Sequence, residues 1–228
     1  MKKIQIQDCN HSQVKKIEVY KKQFIGVWSL FHVEVFEPGE IIIDSNRKVD
    51  QLRFLAHGRC KILMIHEDGN RSIVHFVQQD EFIGELSFTG VEDRPKDVVA
   101  ISQCICLSIP MRLAKEKLLK DADFLLLLNQ YIVKKLLNRT WFSTKSQNYE
   151  FKNRLAAYIL MSECHGKYSE KHTETSEFLG TSYRHLLYTI KQFIEDGILV
   201  KEKKGYTFNR QALEELAMDI NDNKGDLL

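Results

Sequence analysis

A short stretch from Ser182 to Lys191 concentrates side chains that can hydrogen-bond to a nucleic acid. At about 100° per residue along a helix, Arg184, Tyr188 and Lys191 fall on one face. An Arg guanidinium can hold O6 and N7 of guanine together, and Tyr or His can hydrogen-bond to a base edge or touch a thymine methyl group. These residue types predict contacts to DNA. The candidate DNA-contacting residues are Ser182, Tyr183, Arg184, His185, Tyr188, Lys191, Lys203 and Lys204.

A DNA-contacting face of this kind belongs to a helix whose opposite side is buried in the protein. Leu186, Ile190 and Phe193 supply the apolar side, and Ser182 stands where an N-cap is wanted. Gly180 separates this segment from a preceding amphipathic one, which is the pattern of a helix-turn-helix whose second helix is the recognition helix. An ordinary helical hairpin within a core is the alternative interpretation.

The residues that follow predict a β-hairpin. Residues 198–201 and 206–208 are β-prone, and Lys203, Lys204 and Gly205 form a polar turn between them. A hairpin directly after a recognition helix makes a winged helix. Its lysines can reach backbone phosphates, or they can simply be solvated at the hairpin tip.

The composition is that of a globular protein. The chain has 228 residues, 43% of them hydrophobic and 28% charged, with a formal net charge of +2. No run of about 18 apolar residues occurs and the N-terminus lacks an apolar signal region, so we expect a cytoplasmic protein. Five scattered cysteines agree with a reducing compartment. Nucleotide-binding loops, zinc-protease motifs and nucleophile elbows are missing, and we therefore expect no enzyme.

Short β-prone runs fill the region from about residue 32 to residue 109. Turn residues separate them, and Asp68-Gly69 between two apolar runs is a hairpin signal. Several short strands at regular spacing predict an antiparallel barrel or sandwich. Residues 1–30 carry no usable motif, and Phe24, Val27 and Leu30 suggest only helical pieces.

A helical pattern returns at Met111. After a short segment that ends near Lys120, Asp121 or Asp123 offers an N-cap for a long helix that reaches about Thr144. This helix has two apolar faces and needs two partners. A helix buried within one subunit remains the alternative to a helix that joins two subunits. The two faces are Leu125, Leu128, Ile132 and Leu136, and Leu126, Val133, Leu137 and Trp141.

The order of several motifs resembles a known family. Residues 38–41 (PGEI), Gly58, Asp68-Gly69 and residues 82–86 (FIGEL) stand in the order of a cyclic-nucleotide-binding β-roll. With the winged helix behind them, the chain is similar to the Crp/Fnr family of bacterial transcription regulators over about residues 25–210, and its SYRHLLY segment is most similar to the YeiL branch. That family usually has glycines where Asn46 and Asp80 stand, and these residue types tolerate left-handed backbone next best.

The resemblance implies an α+β fold in three parts. An N-terminal antiparallel β-roll (jelly roll) would form the effector domain, residues 1–120. A long dimerisation helix and hinge would occupy residues 121–147, with the hinge near Phe142 to Asn148. A C-terminal winged helix-turn-helix would form the DNA-binding domain, residues 148–228, and begin with a helix from Asn148 to Ser162.

The resemblance also implies an effector site. In the family the Gly-Glu-Leu segment and a following Arg-Ser pair hold a cyclic phosphate and a ribose hydroxyl. Here Pro95 replaces the Ser and donates neither O–H nor N–H. We therefore expect another small effector, or none, rather than a cyclic nucleotide. The candidate effector-binding residues are Gly84, Glu85, Leu86 and Arg94, with Arg139 and Thr140 on the long helix where a cyclic AMP receptor reads adenine.

Other family features are altered or missing. Iron–sulfur members carry an N-terminal cysteine cluster, but only Cys9 lies there, and a cluster normally needs four thiolates, so we expect neither a cluster nor a metal site. Tyr183, Arg184, Leu187 and Tyr188 stand where Arg, Glu, Gly and Arg are usual, so the usual family operator is not expected.

The expected partners follow from the family. They are double-stranded DNA with a pseudo-palindromic operator, a second copy of the chain, and RNA polymerase if the regulator is an activator. The alternative is a small-molecule-sensing module whose winged helix contacts a protein instead of DNA. The departures at Tyr183, Leu187 and Tyr188 support that alternative.

Overall fold

The computed structural model describes residues 2–65, 71–146, 149–164 and 166–221. The chain divides into two compact units, Met1–Val133 and Lys134–Leu228. Among the described residues, no helix combines the length and the apolar character needed to cross a membrane.

Two antiparallel sheets form the first unit. One sheet has the strand order β1-β2-β9-β4-β7 and the other has the order β3-β8-β5-β6. This is the antiparallel β-roll that the sequence predicts. The strands are β1 (Lys2–Ile4), β2 (His32–Phe36), β3 (Ile41–Ile43), β4 (Gln51–His57), β5 (Cys60–Ile65), β6 (Arg71–Val77), β7 (Glu81–Ile83), β8 (Asp97–Ala100) and β9 (Cys104–Pro110).

Turn residues cut the β-prone runs where the sequence suggests. Gly58 has φ +98°, and a Cβ there would lie 2.2 Å from the carbonyl oxygen of Gln103, so only glycine fits between β4 and β5. Strands β5 and β6 pair in antiparallel register from Ile65 to Arg71. That pairing confirms the predicted hairpin, although Asp68-Gly69 itself lies outside the described residues.

The two positions that replace family glycines differ from each other. Asp80 has φ +72° and takes the left-handed conformation, as expected. Asn46 does not take it, and its turn forms without a left-handed residue. The Asn46 backbone N–H instead donates to Oδ1 of Asp44 at 2.9 Å, which closes an ordinary turn with negative φ.

The N-terminal segment is more structured than its weak periodicity suggests. Helix α1 (His11–Ile17) carries a capping box between Asn10 and Gln13, and strand β1 pairs with β2. The hydroxyl group of Tyr20 donates to Oδ1 of Asp80 at 2.5 Å. Phe24 packs edge-on against Phe54, with ring centroids 5.0 Å apart. The segment therefore belongs to the core of the roll.

Three helices accompany the roll strands: α2 (Glu85–Thr89), α3 (Met111–Leu118) and α4 (Ala122–Ser146). Asp121 caps α4, because its Oδ1 accepts a hydrogen bond from the N–H of Phe124 at 3.0 Å. Leu128 is buried in the core of the roll, whereas Leu136, predicted for the same face, is 62% exposed. The helix remains unbroken through Ser146. The hinge near Phe142 to Asn148 stays a prediction, and residues 147 and 148 lie outside the described part of the chain. The side chain of Trp141 lies outside the described part of the chain.

The second unit is a helical domain with a small sheet. Strands β10 (Lys167–Tyr168), β12 (Tyr206–Phe208) and β11 (Leu199–Lys201) lie side by side in that order, which confirms the predicted wing hairpin and adds a strand that the sequence did not indicate. The helices are α5 (Phe151–Ser162), α6 (His172–Phe178), α7 (Tyr183–Glu195) and α8 (Arg210–Asn221).

Candidate DNA interface and effector region

The predicted helix-turn-helix is present, and its turn is specified locally. Gly180 has φ +60°, a conformation that glycine adopts without a Cβ penalty. Ser182 has extended backbone, and its Oγ accepts a hydrogen bond from the N–H of His185 at 3.2 Å. This bond satisfies one of the free donors in the first turn of α7. Ser182 is therefore the N-cap that the sequence predicts.

Helix α7 separates its two faces as its helical period predicts. Leu186, Ile190 and Phe193 are 0%, 3% and 3% exposed. Tyr183 and Tyr188 are 49% and 59% exposed, so Tyr183 projects outward although its helical angle lies near the buried face. The exposed candidates on this helix are Tyr183, Arg184, His185, Tyr188 and Lys191.

Two of the exposed polar side chains are engaged by neighbours on the same helix. The Nε2 atom of Gln192 donates to the hydroxyl oxygen of Tyr188 at 3.1 Å. The Tyr188 oxygen therefore accepts inside the protein, and its proton is directed to an outside acceptor. Lys191 Nζ lies 3.5 Å from Glu195 Oε1, and both side chains are largely exposed. A pair of this kind adds little stability, so Lys191 can exchange Glu195 for a phosphate.

Residues that the sequence analysis missed support the first turn of α7. The ring of His185 packs on Phe151 at the start of α5, with centroids 4.7 Å apart. The guanidinium of Arg154 also lies over the Phe151 ring, 5.5 Å from its centroid, and donates to the carbonyl oxygen of Leu179 at 2.9 Å. His185 is thus held by α5. No periodicity or motif in the sequence indicated this contact.

A buried polar core fixes α6 against the small sheet. The hydroxyl groups of Tyr168 and Thr175 lie 2.7 Å apart, and Thr175 Oγ1 donates to the hydroxyl oxygen of Tyr158 at 3.4 Å. Burial raises the pKa of both Tyr158 and Tyr168. Both phenols therefore stay neutral, and their hydrogen bonds hold the helix-turn-helix in one geometry.

The wing presents its lysines to solvent. Lys203 and Lys204 are exposed at the tip, while Glu202 is engaged by Lys167, whose Nζ lies 2.6 Å from Oε2. Gly205 has φ +83°, and a Cβ there would lie 2.2 Å from the carbonyl oxygen of Tyr168. The wing turn therefore requires glycine, and its positive charges are not cancelled by the adjacent glutamate.

In the first unit, the Gly-Glu-Leu segment forms a tight turn into α2. Gly84 has φ +88°, and an added Cβ would lie 2.9 Å from the carbonyl oxygen of Gln51. Glu85 is 6% exposed and Leu86 is 38% exposed. The close approach at Gly84 gives a folding reason for this glycine, whether or not the turn holds a ligand.

A polar cluster beside this turn was not predicted. The hydroxyl group of Tyr131 on α4 donates to Oε2 of Glu81 at 3.4 Å and to the carbonyl oxygen of Phe82 at 3.3 Å. Nε2 of His75 lies 3.4 Å from the same carboxylate oxygen. Burial and then the charges of Glu85 and Glu81 raise the pKa of Tyr131. The cluster links β6, β7 and α4 beside the Gly-Glu-Leu turn.

Of the remaining effector candidates, Arg94 and Thr140 have described side chains. Arg94 is exposed and lines a cavity together with Ser87 and Pro95. Gly84, Glu85 and Leu86 do not line that cavity. Thr140 lies in the second unit, and its Oγ1 donates to the carbonyl oxygen of Leu136 at 3.0 Å. The side chain of Arg139 lies outside the described part of the chain. The residues fit a cyclic nucleotide only in part, since Pro95 cannot donate to a phosphate.

The cysteines behave as small core residues. Cys60, Cys104 and Cys106 are buried, and none of the five cysteines, all of which lie in the described ranges, forms a disulfide. Burial raises the pKa of Cys60 and Cys106, so these thiols stay protonated and are poor metal ligands. Within residues 2–65, 71–146, 149–164 and 166–221, no three His, Cys, Asp or Glu side chains are grouped to hold a metal ion.

A β-roll followed by a long helix and a winged helix-turn-helix defines a class of two-domain transcription regulators. Residues 33–121 match the cyclic nucleotide-binding domain family. The chain is 38% identical over 192 residues to the regulatory protein YeiL of Escherichia coli O157:H7, and the match covers 84% of this chain and 86% of the relative. The chain belongs to the Crp/Fnr family of transcription regulators, so it is a regulator and not an enzyme.

Solved structures agree on the fold. A Crp/Fnr-family regulator from Eubacterium rectale superposes with a TM-score of 0.67 at 15% identity, over 93% of this chain and 96% of that one. The regulator TTHA1359 from Thermus thermophilus superposes with a TM-score of 0.64 at 20% identity, over 82% and 98% of the two chains. At these identities the likeness supports the architecture and carries no information about the ligand.

Proposed function

We propose that the chain acts as a homodimer that binds a pseudo-palindromic DNA operator through α7. The observation that carries this proposal is the capped helix whose outer face exposes Tyr183, Arg184 and Tyr188 while its inner face is buried. Membership of a family of transcription regulators supports it. In this proposal residues 1–120 sense an effector, residues 121–147 join the subunits, and residues 148–228 bind DNA.

Base recognition is assigned to the outward side chains of α7. Arg184 holds a guanine through O6 and N7, and Tyr188 donates its hydroxyl proton to a base acceptor because Gln192 already occupies its oxygen. His185 is held on Phe151 and contacts the edge of the site. Tyr183 contributes a base or sugar contact at the helix start.

Phosphate contacts are assigned to the remaining candidates. Lys203 and Lys204 reach the backbone from the wing, and Lys191 reaches it from α7. The helix start at Ser182 adds backbone donors, which favour an anion. Phosphate contacts fix the register of the domain on DNA and carry no sequence information themselves.

Dimerisation is assigned to the outer face of α4. Leu126, Val133 and Leu137 are 59%, 45% and 48% exposed in the single chain, and together with Leu136 they form an apolar stripe. A second copy of α4 would cover this stripe. Sedimentation at micromolar concentration should give a dimer, and Leu137→Glu should give a monomer. A monomeric wild type would contradict this part of the proposal.

Selection of bound sequences from random DNA tests the function. A dimer should enrich an inverted repeat with half-sites about one helical turn apart. Arg184→Ala should relax base preference at one position of each half-site and cost about 1–3 kcal/mol on the preferred sequence. Lys203→Ala should weaken binding to all sequences evenly and lower the salt dependence.

Lys117→Ala is the matched control, since this exposed lysine lies on α3 in the first unit. Enrichment of no inverted repeat would favour the competing function, a winged helix that contacts a protein. Equal losses on all sequences from Arg184→Ala and Lys203→Ala would contradict the assignment of Arg184 to a base.

Control by a small effector completes the proposal. An effector can shift the DNA-binding equilibrium only by its difference in affinity for the two arrangements of the dimer. If the regulator is an activator, RNA polymerase is a further partner. Cyclic AMP is tested by thermal unfolding, because a ligand that binds only the folded protein raises the melting temperature as its concentration rises. An unchanged melting temperature at a saturating concentration would exclude cyclic AMP as the effector.

A further inference from the structure

A cavity of about 970 Å³ lies at one end of the β-roll. The loop between β3 and β4, the end of β5, α2, the loop after α2 and the first turns of α3 line it. Its volume is at the upper end of the range of small-molecule sites. We propose that this cavity binds an amphipathic anion, a molecule with an apolar body and one carboxylate or phosphate group. Only the further step, in which this ligand acts as the effector, rests on the proposed function.

This cavity differs from the cyclic-nucleotide site that the family resemblance implies. Of the six effector candidates, only Arg94 lines it. Its other walls come from Ser45, Val49 and Met111, which that resemblance does not assign to any ligand. The two sites share Arg94, and they can be separated by substitution of residues that belong to only one of them.

The charge of the cavity favours an anion. Its lining includes Lys48, Arg94 and Lys115, and none of the three forms an ion pair within the described part of the chain. The carboxylate of Glu92 is already engaged, because Ser87 Oγ donates to it at 2.9 Å and Lys96 Nζ lies 3.4 Å away.

Arg47 and Asp93 are the remaining charged residues of the cavity lining. Arg47 is paired with Asp44, with Nε and Oδ2 3.3 Å apart. Asp93 is then the one acid of the lining without an ion pair among the described residues. The lining thus carries a surplus of positive charge that an incoming anion would neutralise.

The floor of the cavity favours an apolar body beside that charge. Val49 and Met111 are buried at 6% and 7% exposure, and Met64 and Ile65 keep 40% of their surface exposed. Covering these surfaces is favourable, and methionine side chains adapt to varied shapes. Inorganic phosphate would satisfy the cations but would leave the apolar floor uncovered.

Calorimetric titration of the full chain with octanoate, octanol and inorganic phosphate tests the proposal. Octanoate should bind at least about tenfold more tightly than octanol, which has the same body without the charge, and than phosphate, which has the charge without the body. The double substitution Arg94→Gln with Lys115→Gln should lower octanoate affinity by about tenfold or more.

Two further variants keep the test specific. Met64→Gln changes the floor and should weaken octanoate binding while leaving the cations in place. Lys117→Gln lies on the same helix as Lys115 but outside the cavity, and should leave the affinity unchanged. Circular dichroism of each variant checks that the roll is folded.

Several results would overturn the inference. They are no binding of octanoate, equal binding of octanol, or an affinity that Arg94→Gln with Lys115→Gln leaves intact. If octanoate and cyclic AMP compete for binding, and Glu85→Gln abolishes that competition, octanoate binds at the family site instead. DNA binding of the ligand-free protein is measured separately by gel shift, so loss of the DNA function and loss of the ligand site are distinguished.

Discussion

The ion pair between Glu34 and Arg53 should make the β-roll sensitive to acid. Glu34 Oε2 lies 2.7 Å from Arg53 Nε, and their side chains are 2% and 4% exposed. The pair joins β2 to β4 across β9, so it ties together the three central strands of one sheet. Burial alone raises the pKa of Glu34, but the contact with His32 and the charge of Arg53 outweigh it and lower the pKa to about 2.

The size of the effect follows from this lowered pKa. A carboxyl group with an ordinary value of 4.5 and a folded value of about 2 stabilises the fold by about 3 kcal/mol above pH 4.5. Because the folded pKa is the lower one, this stability is complete above the unfolded pKa and is lost as the pH falls towards 2. At about pH 3 roughly two fifths of it remains.

Glu34→Gln imitates the protonated side chain and tests the reasoning. Urea unfolding followed by circular dichroism should show a loss of about 3 kcal/mol at pH 7, and the loss should shrink by about 2 kcal/mol at pH 3. Adding Arg53→Met should recover part of the loss at pH 7, since no unpaired charge then stays buried. Glu18→Gln, at an exposed position, is the control. A loss that is the same at both pH values would refute the argument.

Three further substitutions test the hydrogen bonds and backbone conformations described above. Tyr20→Phe removes the bond to Asp80 and should lower the free energy of unfolding by about 1 kcal/mol; no change in urea unfolding would contradict a role for that bond. Ser182→Ala removes the N-cap of α7 and should cost about 1 kcal/mol and weaken DNA binding, whereas Ser182→Asp should restore the cap. Gly205→Ala should cost at least about 1–2 kcal/mol and weaken DNA binding, because it forces a Cβ against Tyr168; a wing with unchanged amide spectra would contradict this.

Periodicity and turn residues predicted the elements that position the DNA-binding side chains. The 3.6-residue period of α7 separated Leu186, Ile190 and Phe193 from the exposed side chains, and Gly180 with Ser182 marked its start. These signals are local, and they predict the structure correctly because the helix has one buried face. For α4 the sequence offered Asp121 and Asp123 as the capping residue, and the hydrogen bond from the Phe124 N–H identifies Asp121.

What the sequence could not predict depends on residues that meet only after folding. Tyr131 meets Glu81 across fifty positions of sequence, and His185 meets Phe151 across thirty-four. No period or motif encodes such pairs. Strand β1 is three residues long and was missed because so short a segment shows no alternation. Asn46 shows that tolerance of left-handed backbone does not mean that the backbone adopts it.

Strand β1 has a practical consequence for handling the protein. It is the outermost strand of its sheet and covers the backbone of β2, all five residues of which are buried. A truncation that removed Lys2–Ile4 would leave an apolar strand with open hydrogen-bonding groups, which invites pairing with another molecule and aggregation. Lys2 and Lys3 in place discourage such pairing. Purification tags should therefore not be attached directly before this strand.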